Sequence, residues 1–467
     1  MPFAAATQNT SIAPRRLIPE AKRTLMLGLP IIAGNLAGLG MSFVDTIMAG
    51  RLGATALGAV SIGSAVWSAV FLFVMGTSMA VPPAVAQLDG ANEQHKVGAM
   101  TRQALWLSLA LASLLFVVCR SAHPLLVRVG VDANIIPLAS EYLLALSWGA
   151  PAICAFIMLR FFSEGTGHTR PVMYVGAIGA LANIPLNLWF IHGGLGLPAM
   201  GAVGVGWASA AVYWLQFLIW LSWIIRHQHY RPFQLLQRFD WPHWHTLKEL
   251  LKTGLPIGGM IAVEGSLFVA AALLIGRLGE IPVAGHQVAI NFASLIFMIP
   301  LGLGNAISVR VGNAIGRNDP EGARYQGFLG MGMVSILQSV GITLMFVFPA
   351  PIIALYTNDP EVASVAIPLL FLAAIFQWPD GLQVTAASAL RGLKDTRIPM
   401  IYTVVAYWLV GMTTGYTLTF TYEWGARGMW VGMIAGLSAA ALLLVGRFTR
   451  SSARMIREHQ ALGGTQG

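Results

Sequence analysis

Charged side chains are scarce in this sequence. Asp, Glu, Lys and Arg make up 10% of the 467 residues, whereas hydrophobic residues make up 56%. In soluble domains roughly a quarter of the residues are charged. The shortage excludes an ordinary soluble protein and predicts a chain that lies in a membrane. The two cysteines, Cys119 and Cys154, form no spacing motif, so we expect buried free thiols and no disulfide framework.

Catalytic motifs are also absent. None of the lysines follows a glycine, so the sequence has no GxxxxGK[ST] phosphate-binding loop, and it has no H-E-x-x-H zinc motif. We therefore predict a protein that is not an enzyme, that hydrolyses no ATP and that needs no cofactor. A membrane-embedded enzyme or a receptor-like binding protein is the contrasting hypothesis.

Apolar runs long enough to cross a bilayer recur along the whole chain. They predict an all-α integral membrane protein with twelve transmembrane helices. The predicted spans are 25–49, 56–85, 103–123, 135–160, 171–191, 201–225, 254–276, 283–309, 326–349, 361–388, 398–420 and 428–446.

The basic residues indicate the orientation of the chain, because cytoplasmic loops collect Lys and Arg. With both termini inside, 23 of the 28 basic residues fall on the inner side. The five on the outer side are Arg51, Arg120, Arg128, Arg277 and Arg427. We therefore expect a multi-pass protein of the bacterial inner membrane with cytoplasmic termini. Topology accounts for the net charge of +9, so no nucleic-acid partner is predicted.

The two halves of the chain repeat each other. Gly28-Leu29-Pro30 recurs 226 residues later as Gly254-Leu255-Pro256, and Gly50-Arg51-Leu52-Gly53 recurs as Gly276-Arg277-Leu278-Gly279. Six spans in each half is an even number, so both halves enter the membrane from the same side as parallel repeats. The expected division is a cytoplasmic tail (1–24), a first six-helix bundle (25–226), a linker (227–247), a second six-helix bundle (248–449) and a second cytoplasmic tail (450–467).

The linker carries aromatic and basic residues together. Phe233, Leu236 and Phe239 fall at helical spacing beside Arg231 and Arg238. This pattern predicts an interfacial helix that lies on the inner leaflet.

Sixteen of the nineteen acidic residues lie in loops, tails or span ends, and the three that do not are Asp45, Glu264 and Asp380. A charge at bilayer depth costs on the order of 3 kcal/mol, so such residues normally face a bundle interior or a wet cavity and serve transport. No Lys or Arg is predicted inside a span to neutralise them. We therefore predict that they couple transport to a cation, either H⁺ or Na⁺. Packing that neutralises each carboxylate is the alternative.

Other polar residues accompany these carboxylates. We expect Asn183, with Asn187, to hydrogen-bond Asp45, although helix packing explains these amides equally well. Gln377 shares a helix face with Asp380 and is a predicted neighbour of that carboxylate. In the eighth span, His286, Gln287 and Asn291 are candidates to line a cavity beside Glu264.

Aromatic residues of the second half could bind cationic substrates through their ring faces. Ordinary packing or lipid contact is the alternative. The candidates are Phe268, Phe297, Phe376, Trp378, Tyr402, Tyr407 and Trp408.

Several motifs together resemble one transporter family. They are the run from Phe43 to Gly53 (Phe-Val-Asp-Thr-Ile-Met-Ala-Gly-Arg-Leu-Gly), the span around Glu264, Gly285-His286-Gln287, and the loop from Gly392 to Pro399. The sequence resembles the multidrug and toxic compound extrusion (MATE) family in its NorM-like bacterial branch, over about residues 15 to 450.

The resemblance implies two six-helix bundles in a V that open alternately to either side of the membrane. It implies export of organic cations such as drugs, dyes and antibiotics in exchange for H⁺ or Na⁺. Glu264 and Asp380 would form the cation site of the second half, and Asp45 with Asn183 that of the first. Phe297 and Phe376 stand where a tyrosine would offer an oxygen to Na⁺, which tilts the expectation toward H⁺.

The alternative within transport is a lipid or lipid-linked sugar flippase of the same superfamily. A flippase of that kind would line its cavity with several Arg and Lys residues for phosphate, and none is predicted within the spans. The expected partners are small organic cations and the lipid bilayer. A monomer is expected because the two halves already supply each other's interface.

Overall fold

The apolar runs of the sequence fold into long helices in a computed structural model that describes residues 17–194 and 196–464. The predicted tail residues 1–16 and 465–467 lie outside the described residues. The first half consists of α1 (Leu17–Arg51), α2 (Ala54–Ser78), α3 (Val81–Gly90), α4 (Gln94–Arg120), α5 (Ala122–Val129), α6 (Ile136–Ser147), α7 (Ala150–Gly165), α8 (Arg170–His192) and α9 (Ala202–Arg226).

The second half follows a linker that contains one short 3₁₀ helix, Gln228–Phe233. Its helices are α10 (Trp244–Gly276), α11 (Glu280–Gly316), α12 (Pro320–Val347), α13 (Pro349–Ala354), α14 (Pro360–Gly392), α15 (Arg397–Val404), a π-helical segment (Val405–Met412), α16 (Thr413–Tyr416), a second π-helical segment (Thr417–Thr421) and α17 (Ala426–Gly464).

The helices confirm the predicted fold class. Among the described residues, eleven helices are long and apolar enough to cross a membrane. The twelfth span is a broken one, because α6 and α7 together pass the same test and meet at a 48° bend. Trp148 and Gly149 stand at that bend, directly before α7, whose second residue is Pro151.

Both ends of the described chain are more helical than predicted. α1 begins at Leu17, inside the predicted tail 1–24, and α17 continues to Gly464, through most of the predicted tail 450–467. Polar contacts stabilise the extension of α17. Ser451 donates to Asp395 at 2.9 Å, and Arg454 pairs with Glu458 at 2.7 Å one helical turn away.

The predicted interfacial helix of the linker is wrong. The helix ends after six residues at Gln234, which adopts a left-handed conformation with φ of 49°. Phe233 is buried against Phe162, at 5.4 Å between ring centroids, whereas Phe239 remains exposed. The segment is therefore an irregular strap on the first half and not an amphipathic helix.

The two halves touch at the end of the helices where Lys22, Lys96 and Lys394 lie. This end, called the inner end below, is the one predicted to be cytoplasmic. Glycines allow close contact there: a Cβ on Gly76 would lie 2.8 Å from Cα of Gly258. Small residues at such crossings let backbones approach in membranes.

All hydrogen bonds between the two halves, among the described residues, lie at the inner end. Arg310 of α11 forms an ion pair with Glu20 of α1 and donates to Thr24 Oγ1 at 2.7 Å. Gln326 donates to the same Glu20 carboxylate at 2.8 Å, and Gln87 donates to the Gly392 carbonyl at 2.9 Å. We call the contacts of Glu20, Thr24, Arg310 and Gln326 the inner seal. They hold the halves together at this end. Since no hydrogen bond joins the halves nearer the outer end in the described residues, we call this arrangement outward-open.

Candidate functional site

A cavity of about 380 Å³ lies between the two halves, bounded by α2, α10, α11 and α14. Its walls are mainly apolar and rich in methionine, a side chain that adapts to ligands of different shape. The methionines are Met75, Met79, Met260 and Met298. Glu264 and Asp380 open into this cavity. Two carboxylates on an apolar, adaptable wall suit a cationic organic ligand.

Gln383 connects the two carboxylates. Its Nε2 donates to Glu264 Oε1 at 2.9 Å and to Asp380 Oδ1 at 3.3 Å. Asp380 and Gln383 lie three residues apart on α14, so they share one face of the helix. The two carboxylate oxygens are at most 6.2 Å apart, which is the sum of the two hydrogen-bond lengths.

At this separation the two carboxylates repel each other when both are ionised. Two negative charges about 6 Å apart repel each other by about 3 kcal/mol at an effective dielectric constant near 20. Asp380 is 3% exposed, so water screens the repulsion poorly. One bound proton, or one monovalent cation between the two groups, removes most of the repulsion. The chemistry of the pair therefore suits a proton or a small cation.

Tyr407 is a further polar residue beside the pair. It lies in the π-helical segment Val405–Met412, and π-helical turns occur often at functional sites. Its hydroxyl is buried, has no hydrogen-bond partner among the described residues, and interacts electrostatically with both Glu264 and Asp380. The sequence indicated only its ring as a candidate contact, so this hydroxyl was missed.

Asp45 has a separate polar environment in the first half. Asn187 Nδ2 donates to Asp45 Oδ1 at 2.7 Å and Asn183 Nδ2 donates at 3.0 Å, while Ser209 Oγ donates to Oδ2 at 2.8 Å. The predicted contacts with the two asparagines are present, and Ser209 was missed. The side-chain oxygens of Asn183 and Asn187 are buried and lack partners in the described structure. A carboxylate and unpaired amide oxygens are suited to hard cations.

His286 and Gln377, both predicted to lie near the carboxylates, do not line the cavity. His286 is buried in the second half, where its Nδ1 accepts from Trp430 Nε1 at 3.2 Å. Gln377 is fully buried and donates to the Ala293 carbonyl at 3.1 Å, and no hydrogen bond links it to Asp380 in the described structure. Their polar groups are satisfied by packing partners. The prediction that they flank the carboxylates is therefore wrong, and Gln383 takes that place.

Gln287 and Asn291 lie nearer the outer end of α11. Both are exposed, and Gln287 Nε2 donates to Asn291 Oδ1 at 3.1 Å. They are seven and three residues before Ser294, which lines the cavity. Residues at this spacing share a helix face. The two amides thus continue the cavity-facing side of α11 toward the outer end, but they do not line the cavity itself.

The predicted phenylalanines do line the cavity. Phe268, Phe297 and Phe376 all contribute to its wall. Phe268 and Phe376 meet edge to face at 6.0 Å between ring centroids, and Phe376 also packs on Trp430 at 5.6 Å. Phe376 is therefore held by packing as well as facing the cavity.

Buried charges at the inner end contradict one prediction. Arg391 is 6% exposed and forms part of the cavity wall, although the sequence placed it in a cytoplasmic loop. Glu164 is fully buried and accepts from Arg160 at 2.7 Å, and Arg160 also donates to Asn35 at 2.8 Å. The two halves cover these span ends, which hydropathy alone does not reveal.

In residues 17–194 and 196–464 no group of three or more His, Cys, Asp and Glu side chains is arranged to hold a metal ion. Na⁺ at Glu264 and Asp380 would be a transported ion held by the two carboxylates and neutral oxygens.

Taken together, two repeated helical bundles, a cavity between them and paired carboxylates define a membrane transporter. Comparison with known proteins agrees. The profile of the MatE family matches residues 30–189 and 256–417, one segment in each repeat. The chain belongs to the MatE family, whose members are transporters and not enzymes.

Curated relatives cover nearly the whole chain. The chain is 42% identical to the multidrug resistance protein PmpM of Pseudomonas aeruginosa, over 96% of this chain and 95% of that protein. It is 41% identical to a probable multidrug resistance protein NorM of Xanthomonas campestris pv. campestris, over 94% and 96%. Both relatives are named as multidrug resistance proteins, and the match covers nearly the full length of each.

Solved structures support the same fold. An outward-facing multidrug resistance MATE family transporter matches with a TM-score of 0.86 at 20% identity, over 94% of this chain and 97% of that one. The eukaryotic MATE transporter AtDTX14 matches with a TM-score of 0.83 at 21% identity, over 95% and 99%. At this identity the likeness concerns the fold alone.

Proposed function

We propose that the chain is a secondary active antiporter that exports organic cations in exchange for H⁺ or Na⁺. The observation that carries the proposal is the Glu264–Gln383–Asp380 arrangement in an otherwise apolar cavity between the two halves. A substrate cation and a coupling ion would compete for the same two negative charges. Exchange follows from this competition, because both cannot be held at once without excess charge.

The inner seal supplies the second element of the mechanism. In the outward-open arrangement the seal closes the inner end while Glu264 and Asp380 remain reachable from the outer end. Entry of H⁺ or Na⁺ from outside would discharge the pair and release the drug. Breaking the seal and closing the outer end would then expose the pair to the inner side, where the ion leaves and the next drug binds. The proposed location is the bacterial inner membrane, with termini in the cytoplasm and a monomer as the working unit.

The choice of coupling ion depends on which oxygens surround the pair. Phe297 and Phe376 offer none. Tyr407 offers an unpaired hydroxyl, and Asp45 has its own oxygen-rich surroundings. We propose H⁺ as the coupling ion of the Glu264–Asp380 pair, with Asp45 and Asn183 as a second cation-responsive site in the first half.

A flippase for lipid-linked sugars remains the second candidate, and Arg391 is the observation that favours it. This guanidinium lines the cavity and its Nε has no partner in the described structure. One cation, however, is less than a pyrophosphate linkage needs, and two carboxylates in the same cavity repel phosphate. The cavity therefore fits a cation better.

Efflux of ethidium from proteoliposomes tests the proposal. Transport would be started by an acid pulse or by a Na⁺ pulse on the outer face, for wild type, Glu264→Gln and Asp380→Asn. Glu280→Gln is the matched control, because Glu280 is a carboxylate on the outer end of α11, outside the cavity. We expect one pulse to drive efflux, at least a tenfold loss in the two cavity variants, and an unchanged rate in the control. An ethidium efflux rate that neither pulse changes, or that stays the same in both cavity variants, would contradict the antiport mechanism.

A further inference from the structure

A second cavity, of about 880 Å³, lies at the inner end and shares no lining residue with the cavity that contains Glu264 and Asp380. It is enclosed by the linker, α4, α10 and the turn between α14 and α15. Four cationic side chains line it: Lys96, Lys252, Lys394 and Arg397. We call this cavity the inner basic pocket.

The internal repeat shows why this pocket is basic. Shifted by 226 residues, the corresponding place in the first repeat is the inner seal, where Glu20, Arg310 and Gln326 bind one another. The equivalent residues in the inner basic pocket are Thr246, Ala84 and Met100. The cavity beside the inner seal is about 560 Å³, and its ion pair is absent from the repeat mate, which is a larger cavity with a surplus of positive charge.

The carboxylates nearby do not remove this surplus. Asp240 pairs with Arg102 at 2.6 Å, and Lys96 pairs with Glu93 at 2.7 Å. Lys252 and Arg397 form no ion pair with any residue in 17–194 or 196–464. Glu249 is then the one pocket carboxylate left for three cations, so the pocket attracts an anion.

Lys394 occupies a backbone position that suits glycine. Its φ is 58°, in the left-handed region, where a side chain with a Cβ costs about 1 kcal/mol. The equivalent residue in the first repeat, 227 positions earlier, is Gly167, with φ of 76°. The second repeat therefore accepts strain in order to place an ammonium group at this corner of the pocket. Such strain is retained where the side chain has a use.

The pocket lies at the level of the lipid headgroups. Arg102, Gln103 and Trp106 bind the linker firmly to α4; Gln103 Nε2, for example, donates to the Trp241 carbonyl at 2.9 Å. The linker thereby holds Trp241 and Trp244 outward, 76% and 70% exposed. Exposed tryptophans at span ends mark the membrane–water interface.

We propose that the inner basic pocket binds the phosphate group of an anionic phospholipid from the inner leaflet. Arg397 offers the forked donor geometry that suits phosphate oxygens, and the lysines add point charges. Basic clusters at this depth recognise anionic headgroups. Residues of both halves line the pocket, Ala84 and Met100 from the first and Lys252, Lys394 and Arg397 from the second. A bound headgroup therefore bridges the halves and stabilises the arrangement that is closed at the inner end.

Thermal unfolding of the full chain in detergent tests the proposal. The probes are phosphatidylglycerol, phosphatidylcholine and inorganic phosphate. We expect phosphatidylglycerol to raise the unfolding temperature of wild type by about 4 °C over phosphatidylcholine. Lys394→Gly restores the glycine of the first repeat and relieves the strain, so it should fold well yet lose at least half of this rise. Arg397→Gln should lose it similarly. Arg170→Gln, at the repeat mate of Arg397 and outside the pocket, is the matched control.

Three outcomes would overturn the proposal. One is an equal rise with both lipids. Another is a full response to phosphatidylglycerol in Lys394→Gly and Arg397→Gln together, or an equal loss in Arg170→Gln. The third is a full rise with inorganic phosphate alone, which would assign the pocket to a soluble phosphate compound and not to a lipid.

Discussion

The inner seal gives a prediction whose size follows from the structure. Arg310→Gln removes the ion pair with Glu20 and the hydrogen bond to Thr24 that join the two halves. The Arg310 and Glu20 side chains are 12% and 18% exposed, so the pair is poorly screened. Hydrogen bonds to charged groups contribute about 1.5–3 kcal/mol each. Because Gln326 and Arg23 still bind Glu20 after the change, we expect a net loss of about 2 kcal/mol.

That loss applies only to the outward-open arrangement, since the seal requires both halves to meet at the inner end. A change of 2 kcal/mol shifts the ratio of outward-open to inward-open molecules by about 30-fold. Double electron–electron resonance between spin labels at Lys22→Cys and Glu321→Cys would report the ratio. Both sites lie at the inner end in opposite halves. Cys119 and Cys154 are buried and would be replaced by alanine.

Arg23→Gln is the matched control for this measurement. Arg23 binds the same carboxylate at 3.1 Å, but its side chain is 71% exposed and belongs to the same helix as Glu20. Exposed pairs of this kind contribute at most about 0.5 kcal/mol, so the distance distribution should change little. Identical distributions for wild type and Arg310→Gln, or an equal shift with Arg23→Gln, would refute the reasoning.

Three further predictions concern single side chains. Gln383→Leu keeps the volume but removes the shared donor, so drug-coupled efflux should fall at least tenfold while the unfolding temperature changes by less than about 3 °C; an unchanged efflux rate would contradict the bridging role. Tyr407→Phe removes only the unpaired hydroxyl and should shift the pH midpoint of efflux without loss of folded protein. An unaltered pH profile of efflux would show that the hydroxyl does not affect ion coupling. Burial, with His229, His227 and Arg170 nearby, lowers the pKa of His168 to about 4 from its usual 6.5. Below pH 6.5 the unfolded chain therefore binds a proton at His168, whereas the folded chain binds it only near pH 4, so the folded state loses stability as the pH falls. The loss of thermal stability from pH 7 to pH 5 should be smaller in His168→Gln than in wild type.

Hydropathy and the repeat predicted the fold well because every span must satisfy its own backbone hydrogen bonds in lipid. The predicted span 135–160 corresponds to α6 and α7, and its bend was not predicted. Its bend separates two short helices, neither of which passes as a membrane span alone. The α17 extension was missed because its stabilising partner, Asp395, is 56 residues away from Ser451 in the chain.

The candidate site was predicted in part. Glu264 and Asp380 were predicted because a carboxylate within an apolar span is costly and therefore rare. Gln377 and Gln383 are both within three residues of Asp380, and helical spacing alone does not decide between them. Packing decides: Gln377 binds the Ala293 carbonyl inside the second half, whereas Gln383 faces Glu264 across the cavity.

The unpaired Tyr407 hydroxyl and the burial of Arg391 were not predicted, for different physical reasons. A π-helical turn changes the angular register, so a helical wheel at 100° per residue misplaces Tyr407. Arg391 lies at a span end, where a cation is usually solvated, and only contact with the other half buries it. The burial of such residues can be recognised only from the three-dimensional arrangement of the two halves.

Ion release on substrate binding tests the central claim most directly. Purified protein in weakly buffered detergent solution would be mixed with excess ethidium or another organic cation, and released H⁺ would be recorded with a pH indicator and Na⁺ with a radioactive tracer. We expect about one ion released per bound substrate cation in wild type, and no release in Glu264→Gln or Asp380→Asn, with Glu280→Gln behaving as wild type. Substrate binding that releases no ion from wild type, or equal release from all four proteins, would contradict exchange at the Glu264–Asp380 pair.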